Sequence, residues 1–203
     1  MSRTQTPQLV RSAASPTDFP EDDLPEVAAI GRSNVGKSSL LNRLVGLKKL
    51  AFVSKTPGRT QVVNFFRVSE RLMLVDLPGY GFARAPDALR KKWERLVTSY
   101  LFERRKERLV LLLVDFRRDP LASDLGMRDR LEKAGLDYVV VATKADKLGQ
   151  SRRRDQLAKL ARAFGAAGAV PVIPFSAVTS EGRKELWKVI EKHVRGARRA
   201  PKK

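Results

Sequence analysis

Gly31, Gly36, Lys37 and Ser38 stand at the spacing G-x-x-x-x-G-K-[ST] in the stretch GRSNVGKSSLLNRL, residues 31–44. Glycines at those places let backbone N–H groups curl around an anion. The start of a helix adds a fractional positive charge. The stretch follows a short apolar run, EVAAIG (26–31), that reads as a buried strand. It opens a helix over 37–46 that Gly46 closes. In that setting the amides of Gly31, Arg32, Ser33, Asn34, Val35, Gly36, Lys37 and Ser38 are expected to wrap a triphosphate. Lys37 would reach the terminal phosphates and the Ser38 hydroxyl would ligate Mg²⁺. The alternative is a strand–turn–helix corner in which glycine serves only the turn.

Two further motifs follow in order. DLPG, residues Asp76, Leu77, Pro78 and Gly79, ends a strand beside a loop. Asp76 there would hold Mg²⁺ through a water, and the Gly79 amide would sense a γ-phosphate. TKAD, residues Thr143, Lys144, Ala145 and Asp146, also lies at a strand end. The Asp146 carboxylate can accept from the N1–H and N2–H₂ edge of guanine. Adenine lacks that donor pair and would leave the carboxylate unpaired, so discrimination should be large. Lys144 can lay its stem along the base. Each tetrapeptide alone is equally an ordinary solvated loop; their order behind the phosphate motif gives them weight.

The elements that must position these residues alternate. VVNFFRV and RLMLVDL are separated by Ser69–Glu70 and read as a hairpin. A helix is expected over 87–106, with Trp93, Leu96, Val97, Tyr100 and Leu101 at helical spacing. RLVLLLVDF (108–116) reads as a central strand. Asp119–Pro120 reads as an N-cap and first helical position of a helix to about 134. A strand (138–143), a helix (151–165), a proline-containing edge strand (170–175) and a last helix (180–194) complete the pattern. Strands joined through helices argue for a parallel sheet covered on both faces. Residues 1–24, with prolines at 7, 16 and 20, read as a flexible arm or a loosely docked extension; 25–195 form the nucleotide-binding domain and 196–203 a basic tail.

Composition narrows the class. Of 203 residues, 41 are Lys or Arg and 22 Asp or Glu, a formal charge of +19. Such an excess attracts polyanions, nucleic acid first and an anionic membrane surface second. There is no cysteine and one histidine, His193, which excludes disulfides and multi-histidine metal centres. The longest aliphatic run, LVLLLV (109–114), is far shorter than the ~20 residues that span a bilayer. No secretory signal is visible at the N-terminus, and a cytoplasmic protein is expected.

GRSNVGKSSLLN, SKTPGRTQ, NFF, DLPGYGFA, TKADK and FSA together resemble the EngB (YihA/YsxC) family of translation-factor-like GTPases, over residues 24–195. TPGRTQ and DLPGYGFA are the most specific pieces. The resemblance implies a three-layer P-loop GTPase fold: a mostly parallel six-stranded sheet with one antiparallel strand and helices on both faces. It implies Mg²⁺-dependent hydrolysis of GTP to GDP, a role in assembling the large ribosomal subunit or its precursor through ribosomal RNA, and a link to cell division and septation. A monomer is expected. By position, Gly58, Arg59, Thr60, Gln61 and Val62 would form the first switch. Thr60 would ligate Mg²⁺ beside Ser38 and, with Lys37 and Gly79, act at the γ-phosphate. Phe175, Ser176 and Ala177 would line the guanine. Many GTPases place a water-orienting glutamine after D-x-x-G. Tyr80 stands there instead, so slow intrinsic hydrolysis is expected. Asn34 resembles an asparagine that holds K⁺ in related GTPases, and is equally a turn-forming residue.

Two other readings compete. A small-molecule phosphotransferase would use the phosphate loop but not TKAD. A basic RNA- or membrane-surface-binding module would hold GTP only as a structural ligand. On the GTPase reading the basic runs ERRKER (103–108), SRRR (151–154) and RGARRAPKK (195–203) are candidate RNA contacts.

Overall fold

The computed structural model describes residues 7–47, 62–81, 86–104, 106, 108–165 and 170–197. Seven strands form one sheet: β1 (Gln8–Ala13), β2 (Glu26–Gly31), β3 (Val63–Ser69), β4 (Leu72–Asp76), β5 (Arg108–Asp115), β6 (Tyr138–Thr143) and β7 (Val172–Phe175). Their order is β1-β3-β4-β2-β5-β6-β7. Strand β3 pairs antiparallel with both β1 and β4, and every other pair is parallel. One strand therefore runs against the rest, as expected. Around the sheet lie α1 (Lys37–Val45), α2 (Asp87–Thr98), α3 (Ala122–Lys133), α4 (Gln150–Phe164) and α5 (Arg183–Ala197). No helix among the described residues is long and apolar enough to cross a membrane.

The unbroken apolar run in β5 is explained by burial on both faces. Val110, Leu112 and Val114 join the layer that holds Leu96, Leu131 and Phe164, from α2, α3 and α4. Leu109, Leu111 and Leu113 join the opposite layer with Leu40, Leu44, Leu186 and Ile190, from α1 and α5. Successive strand residues point to opposite faces, so each layer takes every second side chain. Full burial of a leucine contributes about 1.5–3 kcal/mol. These side chains therefore hold the strand ends, where the motifs lie, in fixed register.

Three expectations are corrected. The sheet has seven strands, because residues 8–13, read as a flexible arm or a loosely docked extension, pair with β3 from Gln8↔Arg67 to Ala13↔Val63. Residues 14–19 are held in place as well. Asp18 accepts from the Ala14 and Ser15 N–H groups at 3.0 and 2.9 Å. Phe19 packs at a tilt against Phe65 and edge-to-face against Tyr100. Second, the helix expected over 87–106 leaves α geometry at Thr98, continues as a π turn (Ser99–Glu103) and stops at Arg104. The buried Arg108 guanidinium donates to the Tyr100, Leu101 and Arg104 carbonyls, satisfying acceptors that a helix end leaves open. Third, α3 begins at Ala122, not at Pro120. Asp124 accepts from the Leu121 N–H at 3.2 Å and caps the helix two residues later than Asp119 would have.

A buried carboxylate at the start of β2 ties the sheet to the π turn that follows α2. Glu26, 0% exposed, accepts from the Tyr100 hydroxyl and the Arg104 guanidinium, both at 2.8 Å. Burial, and then the Glu26 charge, pushes the Tyr100 hydroxyl well above its ordinary pKa.

Candidate functional site

Residues 31–38 connect β2 to α1 at the C-terminal edge of the parallel strands, where open α/β sheets bind ligands. Gly31 is obligatory there: a Cβ would sit 2.8 Å from the Leu113 carbonyl oxygen. Gly36, at φ 107°, and Asn34, at φ 62°, supply the left-handed turns of the loop. The first intrahelical bond runs from the Leu40 N–H to the Gly36 carbonyl at 2.9 Å. The amides of Lys37 and Ser38 precede it, so they have no acceptor within the helix. They are the donors that an anion at this helix start would use.

Two contacts join this loop to residues 76–81. Lys37 forms an ion pair with Asp76, both largely buried. Tyr80 donates its N–H to the Gly31 carbonyl at 3.1 Å and accepts from the Ser33 N–H at 2.9 Å. Gly79 passes so close that a Cβ would lie 3.1 Å from the Gly31 oxygen and 3.2 Å from the Ser33 nitrogen. Leu77 is fully buried and donates to the Ala29 carbonyl at 3.1 Å. The Pro78 carbonyl accepts from the Trp93 indole N–H at 3.0 Å. The Tyr80 hydroxyl is engaged by α3, donating to Asp124 at 2.8 Å. Burial, and then the Asp124 charge, raises its pKa far above the usual phenol value.

Two further contacts join the loop to residues 143–146. Thr143 donates its hydroxyl to the Val35 carbonyl at 2.6 Å and lies 3.0 Å from the Val114 carbonyl. Lys144 donates to the Asn34 carbonyl and to the Asp115 carboxylate, both at 2.9 Å. Burial opposes ionisation of Asp115. Hydrogen bonds from Arg117 and Lys144 outweigh it and hold that carboxyl well below the ordinary range. Ala145 is buried and Asp146 exposed. Asp146 accepts from the Ser176 hydroxyl at 2.7 Å, and Ser176 in turn accepts from the Val178 and Thr179 amides at 3.1 Å. Phe175 lies buried beneath them at the end of β7. Ala177 accepts from the Arg43 guanidinium at 2.6 Å.

The fold thus gathers Gly31–Ser38, Asp76–Gly79 and Thr143–Lys144 into one cluster, and sets Asp146 with Phe175–Ala177 beside it. Gly58, Arg59, Thr60 and Gln61 lie outside the described residues; Val62 immediately precedes β3. Asp115, Arg43, Trp93 and Asp124 were not anticipated. A carboxylate ending the apolar run of β5 was the one signal available for Asp115. The other three act through contacts distant in sequence. A cavity of about 230 Å³ opens between Arg32–Val35 and Arg117–Leu121. No cluster of His, Cys, Asp and Glu among the described residues forms a metal cage. Hydroxyl and carboxylate oxygens from Ser38 and Asp76 suit Mg²⁺ only when substrate phosphates share the coordination.

Comparison with known proteins gives one answer. The family model described as 50S ribosome-binding GTPase matches residues 26–144. The chain is 48% identical over 183 residues to the probable GTP-binding protein EngB of Solibacter usitatus, covering 90% of this chain and 93% of the relative. It is 46% identical over 187 residues to the corresponding protein of Pelotomaculum thermopropionicum, covering 92% and 94%. Among solved structures, a probable GTP-binding protein engB aligns with TM-score 0.65 at 20% identity, over 84% of this chain and 99% of that one. Era in complex with MgGDPNP and nucleotides of 16S ribosomal RNA aligns with TM-score 0.65 at 24% identity, over 84% and 57%. These two structures bear on the fold alone. With its phosphate loop bonded to both neighbouring motifs and its relatives matched nearly end to end, the chain belongs to the EngB family of GTP-binding proteins and is a GTPase.

Proposed function

We propose that this GTPase is a Mg²⁺-dependent conformational switch acting on the large ribosomal subunit or its precursor in the cytoplasm, as a monomer. The observation that carries the reading is the double closure of residues 76–81 onto the phosphate loop, through Lys37–Asp76 and Ser33–Tyr80. A triphosphate bound by the 31–38 amides competes for Lys37. It therefore loosens the hold on Asp76 and offers the Gly79 amide a γ-phosphate acceptor. Hydrolysis removes that acceptor and restores the closed arrangement.

Within this proposal Lys37, Thr60 and Gly79 act at the γ-phosphate, while Ser38, Thr60 and, through water, Asp76 hold the metal. When bound, Mg²⁺ neutralises phosphate charge. Asp146 selects guanine, Ser176 orients that carboxylate, and Phe175 and Ala177 border the base. The Tyr80 hydroxyl is held by Asp124, so no side chain at that position orients the attacking water, and intrinsic turnover is slow. K⁺ beside Asn34 is one source of the missing charge. The +19 excess and the ribosome-binding description of the matched family support the ribosomal partner. A role in cell division and septation belongs to the same proposal, downstream of subunit assembly.

Co-sedimentation with purified large subunits, loaded with a GTP analogue or GDP, tests this reading. Association that depends on the nucleotide is the expected result; equal or absent association in both states refutes it. Phosphate release measured in K⁺ and in Na⁺ tests the cation: equal rates remove K⁺ from the proposal.

A further inference from the structure

Three basic runs stand out in the sequence; residues 198–203 of the last lie outside the described residues, and the fold disposes of the charges of the other two unequally. In the 103–108 run, Arg104 binds Glu26 and the Pro20 carbonyl, Lys106 reaches Asp22 at 3.2 Å, and Arg108 is 4% exposed. Those three cations hold the protein together and do not face a partner. In the 151–154 run, Arg153 pairs with Glu181 and lies over the Phe116 ring. Only Arg152 and Arg154 of that run's arginines project freely into solvent.

Helix α2 shows the opposite pattern. Arg90, Lys91, Lys92 and Arg95 are all exposed. Arg90 pairs with Asp87. Lys91, Lys92 and Arg95 have no ion-pair partner among the described residues, and they lie along about 6 Å of helix axis. The helix is also weakly held. None of residues 87–92 is buried, and the apolar anchors Leu96 and Val97 come only in its last turn. Between these halves the Trp93 indole N–H bonds to the Pro78 carbonyl, inside the loop that closes on the phosphate site.

We propose that the outer face of α2 is a docking surface for the phosphate backbone of RNA, and that Trp93 makes its position follow residues 76–81. This inference rests on the ribosomal reading above and adds the surface and its control. Three unpaired cations without an interleaved exposed aromatic suit backbone contact, not base reading. A membrane surface is disfavoured, because a helix lying in a bilayer interface needs a free apolar face. Here that face, Trp93, Leu96 and Val97, is packed inside the protein, and Leu89 at 38% exposed is the one sizeable apolar side chain outside. When a nucleotide draws residues 76–81 away from their closed position, the Pro78 carbonyl moves and the amino-terminal half of α2 moves with it.

The test uses the full chain and deproteinised large-subunit RNA, with affinity measured against salt in GTP-analogue and GDP states. Lys91→Ala/Lys92→Ala/Arg95→Ala should weaken binding about tenfold and flatten the log–log salt dependence by about 2 units, each phosphate contact accounting for ~0.7–0.9. Arg152→Ala/Arg154→Ala should do markedly less. Trp93→Phe, which keeps a ring but removes the donor, should shrink the affinity difference between the two nucleotide states. Triple-variant binding within twofold of wild type, at unchanged slope, overturns the surface. An undiminished nucleotide difference in Trp93→Phe overturns its control. Wild type that binds phosphatidylglycerol vesicles but no RNA overturns both this surface and the ribosomal RNA reading.

Discussion

Replacing Tyr80 with phenylalanine removes one hydroxyl and keeps the ring. In the structure that hydroxyl donates at 2.8 Å to the Asp124 carboxylate; Tyr80 is 6% exposed and Asp124 5%. The other Asp124 oxygen accepts from the Leu121 N–H at the start of α3. Tyr80→Phe therefore leaves a buried carboxylate oxygen without its donor while the helix cap persists. A hydrogen bond to a charged group contributes about 1.5–3 kcal/mol. For a chain of this length, 1 kcal/mol moves the melting temperature by ~2–4 °C. A fall of roughly 3–12 °C is expected in calorimetry without nucleotide. In the Asp124→Ala background the same substitution should cost far less, because contacting residues are not additive. Single-turnover GTP hydrolysis should stay within about threefold of wild type, since the hydroxyl is committed to Asp124 of α3. Equal destabilisation in both backgrounds, or a tenfold loss of hydrolysis at full nucleotide occupancy, would refute the reasoning.

Three other predictions follow from the same structure. Asp146→Asn should exchange GTP for XTP preference with a loss of GTP affinity of ~10³-fold or more, read with fluorescent nucleotides, because a site built around that donor pair rejects a mismatch strongly; unchanged preference would remove Asp146 from base selection. Arg104→Ala removes the closest cation from the fully buried Glu26, leaving it the Tyr100 hydroxyl and, at 3.9 Å, the Lys106 ammonium. It should destabilise by about 3–5 kcal/mol in urea unfolding, while Arg104→Lys should recover part of the loss. All three tyrosines, Tyr80, Tyr100 and Tyr138, have pKa values raised above the ordinary 10.0, chiefly by burial. Their contribution is full below pH 10 and is lost as pH rises beyond it, when the unfolded chain ionises first. Tyrosinate absorbance should therefore appear together with loss of the circular dichroism signal, and early absorbance in a folded protein would contradict the burial.

How far the residues alone reveal the protein depends on the range of the interactions involved. The phosphate loop is legible because its demands are local. A left-handed Gly36, a glycine at 31 and a helix beginning at Lys37 are requirements on consecutive residues. The parallel sheet is legible because β5 is apolar on both faces, a pattern that only a doubly covered strand needs. Strand β1 left no such trace. Five of its six residues are exposed and its attachment is backbone pairing with β3, which any side-chain pattern permits.

The basic runs show the same limit from the other side. Charge is a property of composition, and the affinity for polyanions could be read from it. Whether a given cation faces inward or outward is decided by the group it meets. Arg104 meets Glu26 across 78 positions of chain, and Trp93 meets Pro78 across 15. Motif identity and sheet class were thus written in neighbouring residues. The bonding of residues 76–81 to the phosphate loop, the tether of α2, and the choice of which arginines remain free exist only once the chain has closed on itself, because each joins groups whose proximity no local pattern specifies.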